Sequence, residues 1–242
     1  MNITYKLLTN IGGRSNNEDN LGMMENNGDY FFVVADGLGG HDKGEIASQI
    51  AVQKSMETFC IKESDDFLGQ AIMNAQQEIM DRQRREHKIG EMKTTYTCLH
   101  LAGNIAQWAH VGDSRVYYFD KHHMKKRTLD HSVPQMLAAS RQIKEKEIRN
   151  HPDRNRLLRV MGADWEQPRY EIGPVIQLKV HKQAFLLCTD GFWELITEKE
   201  MEKCLKKAKD VNEWILSMEK IVVENGKDTE MDNYTAIGVF VE

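Results

Sequence analysis

The chain holds only four prolines and four cysteines among its 242 residues. With so little proline and no long polar low-complexity stretch there is no recognisable linker, so a single domain, residues 1–242, is expected. Cys60, Cys98, Cys188 and Cys204 form no CxxC pair, and three of them sit inside apolar patterns. They read as buried free thiols in a reducing compartment, which places the protein in the cytoplasm. No run approaches the ~18 apolar residues of a membrane span, and MNITYKLLTNIGG at the start lacks the apolar core of a signal peptide. Positive charge is not in excess either: 32 Lys and Arg face 37 Asp and Glu, a formal net charge of −5. That balance argues against a nucleic-acid partner, whose recognition rests on basic surface.

Several catalytic signatures are missing too. VVADGLGGHDKGEIAS (33–48) packs glycines between an apolar run and a helical pattern, as phosphate cradles do. Yet Gly44 precedes Glu45 where a P-loop needs Lys and Ser or Thr, and Gly37, Gly39 and Gly40 do not make GxGxxG. No cysteine begins C-x5-R and no D-x-D occurs, which removes the usual nucleophiles of a covalent phosphoenzyme.

What the chain does contain is an alternation of strand and helix patterns. YFFVVAD (30–36) suits a buried strand, and Ile46, Ala47, Ile50 and Ala51 share one helical face. Ser64 is a candidate N-cap for a helix whose stripe is Leu68, Ile72, Ala75 and Ile79. TTYTCLHLA and IAQWAHV flank Gly103-Asn104, a two-residue hairpin signal, and DKHH joins SRVYYF to MKKRTL in a second hairpin. The basic stretch His122 to Arg127 reads as a solvated edge. Residues 131–162 break the rhythm, with two short helices punctuated by Pro134 and Pro152, and read as an insertion over a face of the sheet. QAFLLCT (183–189) and NYTAIGVFV are further buried strands. Thr197 with Glu200 has capping-box spacing; Asp210 with Glu213 imitates it ahead of a helix ended by Gly226. Antiparallel hairpins of this kind stack as two sheets with helices outside, an α+β class.

Three apolar strands end in acidic turns: Asp36-Gly37, Gly112-Asp113-Ser114 and Thr189-Asp190-Gly191. Asn17-Glu18-Asp19-Asn20 and Asp232-Asn233 lie near other strand ends. If these ends converge, the carboxylates raise one another's pKa unless a cation keeps them ionised. Oxygen donors beside glycine turns suit Mg²⁺ or Mn²⁺. Asp36 would repel a phosphate directly but can hold the metal that attracts one, with Gly37 offering its carbonyl.

RSNNEDN (14–20), VVADGLGGH (33–41), GDSRVYYF (112–119), LLCTDGFWE (186–194) and DNYTAIGV (232–239) occur in the order found in type-2C metal-dependent protein phosphatases, and the chain resembles the compact bacterial members over nearly its whole length. The resemblance implies a four-layer α/β/β/α sandwich, two antiparallel sheets between helix pairs. It implies hydrolysis of phosphoserine and phosphothreonine in proteins by metal-activated water attacking phosphorus in line, with two core Mn²⁺ or Mg²⁺ ions and a third, weaker one. By the same resemblance Asp36 bridges the core metals, Gly37 coordinates through its carbonyl, Asp190 and Asp232 complete one metal's shell, and Glu18 and Asp19 hold metal-bound waters. Asp113 joins Asp190 at the third ion, Arg14 grips the phosphate, and residues 131–162 form a flap beside the site. His41 is placed to protonate the leaving group, or else it orders the glycine loop or faces solvent. Phosphorylated proteins, targets of a cognate Ser/Thr kinase, are the expected partners, and a monomer the expected state. Lys93 stands where the family often has glycine, so a local backbone change is expected there. Two other readings remain open: a phosphatase of small phosphomonoesters, and a silent phosphoprotein-binding regulator.

Overall fold

The computed structural model describes residues 2–39, 43–61 and 66–242. In chain order the strands and helices are β1 (Ile3–Asn10), β2 (Asp19–Asn26), β3 (Asp29–Leu38), α1 (Lys43–Cys60), α2 (Phe67–Arg85), β4 (Lys93–Thr94), β5 (Tyr96–Ala102) and β6 (Ile105–Val111). There follow β7 (Arg115–Asp120), β8 (His123–Arg127), α3 (Val133–Ala139), β9 (Glu171–Ile172), β10 (Ile176–Gln177), β11 (Gln183–Cys188), α4 (Asp190–Trp193), α5 (Glu198–Lys207), α6 (Val211–Gly226) and β12 (Tyr234–Val241).

One sheet runs β1-β12-β11-β7-β8; the other runs β10-β6-β5-β3-β2, with β4 added beside β3 and β9 beside β6. Every pairing is antiparallel. Side-chain alternation builds the layers. Phe32 and Val34 point between the sheets, where they meet Val116, Phe185, Leu187, Ile237 and Val239 of the opposite sheet. Their neighbours Phe31, Val33 and Ala35 point the other way, onto Ala47 and Ala51 of α1 and Leu68, Ile72, Ala75 and Ile79 of α2. Tyr117, Phe119 and Leu186 do the same in the other sheet, against Met201 of α5 and Trp214, Ile215 and Met218 of α6. The result is the expected α/β/β/α sandwich.

Both hairpins form as the turn residues dictate. Gly103 has φ +54°, and Lys121 and His122 turn with φ +51° and +66°. The Thr197 capping box is complete. Asp210 caps α6 by accepting from Glu213 N–H at 2.8 Å, but the Glu213 carboxylate accepts from Lys209 N–H, so only half of a box is present. The Ser64 cap expected for α2 lies outside the described residues. Three cysteines are buried and free; Cys60, at the end of α1, is exposed and departs from the expectation. The sequence reading assigned no strand to 3–10 or 19–26, yet β1 and β2 are the outer strands of the two sheets. The insertion 131–162 contains α3 and a single 3-10 turn at 145–147. It seats Ala138, Ile143 and Ile148 against the core beneath α5 and α6. Among the described residues no helix is long and apolar enough to cross a membrane.

Candidate active site

At one end of the sandwich the strand-end turns meet around a cleft of about 430 Å³. Asp36, Gly37 and Glu18 line it from the β2–β3 side, and Asp190 and Asp232 from the β11–β12 side. Asp113, from the β6–β7 turn, faces it as well, and Arg14 stands at its rim. Asp19 is buried just behind, paired in register with Asp36.

Close backbone approach brings these turns together. A Cβ on Gly37 would lie 2.3 Å from the Gly44 carbonyl and 2.7 Å from Glu18 O, so this glycine lets β3, the start of α1 and the 14–20 loop touch. A Cβ on Gly191 would lie 2.1 Å from Asn233 O, which is how Asp190 comes beside Asp232. Asn233 ties the acidic loop down. Its Nδ2 donates to Ile11 O at 2.8 Å and Asn16 O at 2.9 Å, while its Oδ1 accepts from Glu18 N–H at 2.8 Å. Thr189 Oγ1 donates to Asp19 Oδ2 at 2.9 Å. Thr95 Oγ1 accepts from Asp36 N–H at 3.0 Å and lies 2.7 Å from Ser114 Oγ. The sequence reading named none of these three as a site residue. Thr189 and Asn233 stand next to an aspartate in the sequence, whereas nothing near Thr95 marks it.

The electrostatics mark the place as built for a cation. Burial, then repulsion from Asp190, Asp19 and Asp113, drives the Asp36 carboxyl well above the usual carboxylate range. Burial and Asp190 push Asp113 the same way, and burial with Asp232 raises Asp190. Asp19 is pushed up to about 7, chiefly by burial and against hydrogen bonds from Thr235 and Thr189. Asp113 Oδ1 is buried without a hydrogen-bond partner. Clustered, desolvated carboxylate oxygens with one orphaned acceptor fit hard divalent ions, which would reverse all these shifts.

Arg14 donates through Nη2 to Asp232 Oδ2 at 2.9 Å, with both side chains about half exposed. Trp193 packs beneath the Asp190 turn. Its Nε1 donates to Asp113 O at 3.0 Å, and the Arg115 guanidinium lies 3.4 Å over its ring. Arg115 is itself buried in a bidentate pair with Asp130, at 2.8 and 2.6 Å. The insertion reaches the cleft through Asn155 and Leu157. Arg154 anchors it to Glu194 at 3.1 Å, a carboxyl that burial and Asp190 push up to about 7. His41 lies outside the described residues.

A second cluster, His110, His131 and Glu171, lies outside the cleft lining. Its imidazoles stack in parallel, 4.5 Å apart, so their in-plane lone pairs do not converge on one ion. His131 Nδ1 already accepts from Gly112 N–H at 3.2 Å, and Arg159 Nη1 lies 3.4 Å from its Nε2. With His131 N–H bonded to Gly112 O and Leu158 N–H to His131 O, the cluster works as a clamp between the Asp113 turn and both ends of the insertion.

Residues 9–232 match the family described as protein phosphatase 2C, and the chain belongs to that family. It is 31% identical over 208 residues to the serine/threonine phosphatase stp of Listeria monocytogenes, covering 83% of this chain and 81% of that protein. Its fold is similar to that of the S. agalactiae serine/threonine phosphatase, with a TM-score of 0.86 at 27% identity and all of both chains covered. It is similar also to the serine/threonine phosphatase Stp1 from Staphylococcus aureus, with a TM-score of 0.90 at 25% identity, covering 100% of this chain and 96% of that one.

Proposed function

We propose that the chain is a metal-dependent protein serine/threonine phosphatase, and that its catalytic centre is the acidic cleft at the end of the sandwich. One observation carries this: Asp36, Asp113, Asp190 and Asp232, with Glu18, converge from both sheets on one 430 Å³ cleft with an arginine at its rim. Two Mg²⁺ or Mn²⁺ ions would be held by Asp36, the Gly37 carbonyl, Asp190 and Asp232, with Glu18 and Asp19 facing their waters and Asp113 with Asp190 taking a third, weaker ion. Bound there, such ions supply Lewis acidity and a water acidic enough to be a nucleophile near neutral pH.

The chain's own groups do the positioning. Arg14 offers a planar guanidinium to the phosphate oxygens, exchanging its bond with Asp232 for a bidentate one. Asn233 and Thr189 fix Glu18 and Asp19 before substrate arrives, so their orientation is settled in advance. His41 protonates the leaving alkoxide, on the strength of its place in the sequence. The protein is one catalytic domain, monomeric and cytoplasmic, acting on phosphoproteins made by a cognate Ser/Thr kinase, with 131–162 as its flap.

The test is phosphate release from a phosphothreonine peptide by wild type with Mn²⁺, wild type with EDTA, and Asp36→Asn with Mn²⁺. Activity is expected in the first sample, and a loss of more than about a hundredfold in the other two. Equal activity in all three would show that the carboxylates are structural.

A further inference from the structure

Beside the cleft, sharing its Leu38–Gly39 rim, lies a second depression of about 640 Å³. Its charged lining is Lys43, Lys88, Lys93 and one carboxylate, Glu91. Three segments deliver the lysines: Lys43 opens α1, Lys88 follows α2, and Lys93 lies on β4. Lys43 Nζ is 3.3 Å and Lys88 Nζ 3.7 Å from the same oxygen, Glu91 Oε2. Lys93 has no ion-pair partner among the described residues. The described lining therefore holds two more positive than negative charges, in a protein whose net charge is −5. Lys93 pairs in register with Leu38, the residue after Gly37. That pairing sets the cation beside the wall of the catalytic cleft. The backbone accommodates it as ordinary strand, without a left-handed φ. A peptide leaving the cleft advances ~3.3–3.6 Å per residue, and one that leaves over the shared Leu38–Gly39 rim passes into this depression.

We propose that this groove is a substrate subsite that selects phosphorylated segments flanked by aspartate or glutamate. The inference rests on the phosphatase reading above and names the substrate class of that site. The cleft itself reads only the phosphate and repels other anions through its carboxylates. The lysines supply the opposite sign next door and turn an acidic flank from a penalty into a recognition element.

The experiment compares three phosphothreonine peptides: one with acidic residues two to four places before the phosphothreonine, one with them after it, and one with alanines. Wild type and Lys88→Ala/Lys93→Ala are assayed with Mn²⁺, with p-nitrophenyl phosphate as a substrate too small to reach the groove. One acidic peptide should be preferred about five- to tenfold in kcat/KM by wild type, through KM, and the preference should shrink with salt. In the double variant the preference should vanish while p-nitrophenyl phosphate turnover stays unchanged. A wild type that treats the three peptides alike, or a preference that survives the substitutions, would overturn the proposal. Fluorescence anisotropy of the dephosphorylated peptides gives a reading independent of turnover. Tighter binding of an acidic peptide by wild type than by the variant is expected, and equal binding counts against the groove. No turnover of any ester would overturn the phosphatase reading alone, and the anisotropy comparison would still decide the subsite.

Discussion

Asp113 and His131 are bound through one glycine, and the pairing has consequences at the scale of single residues. Gly112 N–H donates to His131 Nδ1, and Gly112 O accepts from His131 N–H. Burial, with His110 and Arg159 beside it, pushes the His131 pKa down to about 3 from 6.5. Burial lowers His110 too. The fold keeps both imidazoles neutral to lower pH than the unfolded chain does, which takes up protons below about 6.5. Their contribution to stability is therefore complete above that pH and is lost as pH falls from 6.5 towards 3. His131→Asn keeps an acceptor for Gly112 N–H and should give a shallower loss of stability between pH 6.5 and 4.5 in urea titrations; an unchanged slope would refute the lowered His131 pKa as its source. Asp36, Asp113 and Asp190 were legible in the sequence because each ends an apolar strand in an Asp-Gly or Gly-Asp turn, a purely local pattern. Asn233, Thr189 and Thr95 were not, because their partners Ile11, Asp19 and Asp36 lie far away along the chain.

Secondary-structure elements divide along similar lines. Strands buried on both faces, such as β3, β11 and β12, announced themselves as short apolar runs. β1 and β2 did not, because each is an outer strand with mostly half-exposed residues and no clean alternation. Helix α5 owes its start to a local signal: Thr197 Oγ1 accepts from Glu200 N–H, and Glu200 Oε2 accepts from Thr197 N–H at 2.8 Å. Thr197→Ala should cost about 1 kcal/mol, a fall in Tm of about 2–4 °C for a chain of this size. No residue of α5 lines the cleft, so kcat should hold. A matching loss of activity in the folded variant would contradict that separation.

Over the whole molecule, function and stability pull against each other at the cleft. Without cations the clustered carboxylates repel, and Asp36 suffers from Asp190, Asp19 and Asp113 at once. At pH 8 and free of metal, Asp36→Asn should melt above wild type, because one buried charge is gone. With Mn²⁺ at a hundredfold its Kd, wild type should gain about 2.7 kcal/mol and the order should invert. Calorimetry with EDTA and with Mn²⁺ checks both halves, and a variant less stable than wild type without metal would show that repulsion is not the governing effect. The layered arrangement was readable from hairpin spacing and helical stripes. Which strand pairs with which was not, since β1 joins β12 from the far end of the sequence.

That last pairing has a meaning in time. Synthesis proceeds from the N-terminus at ~5–20 residues per second. Leu8 must therefore wait on the order of ten seconds or more for Ala236, its partner across the sheet. Asp232 and Asn233 emerge in the same late interval and bring with them the anchor of Glu18. A growing chain thus carries an unpaired strand and an incomplete cleft until residues 232 to 241 have been made.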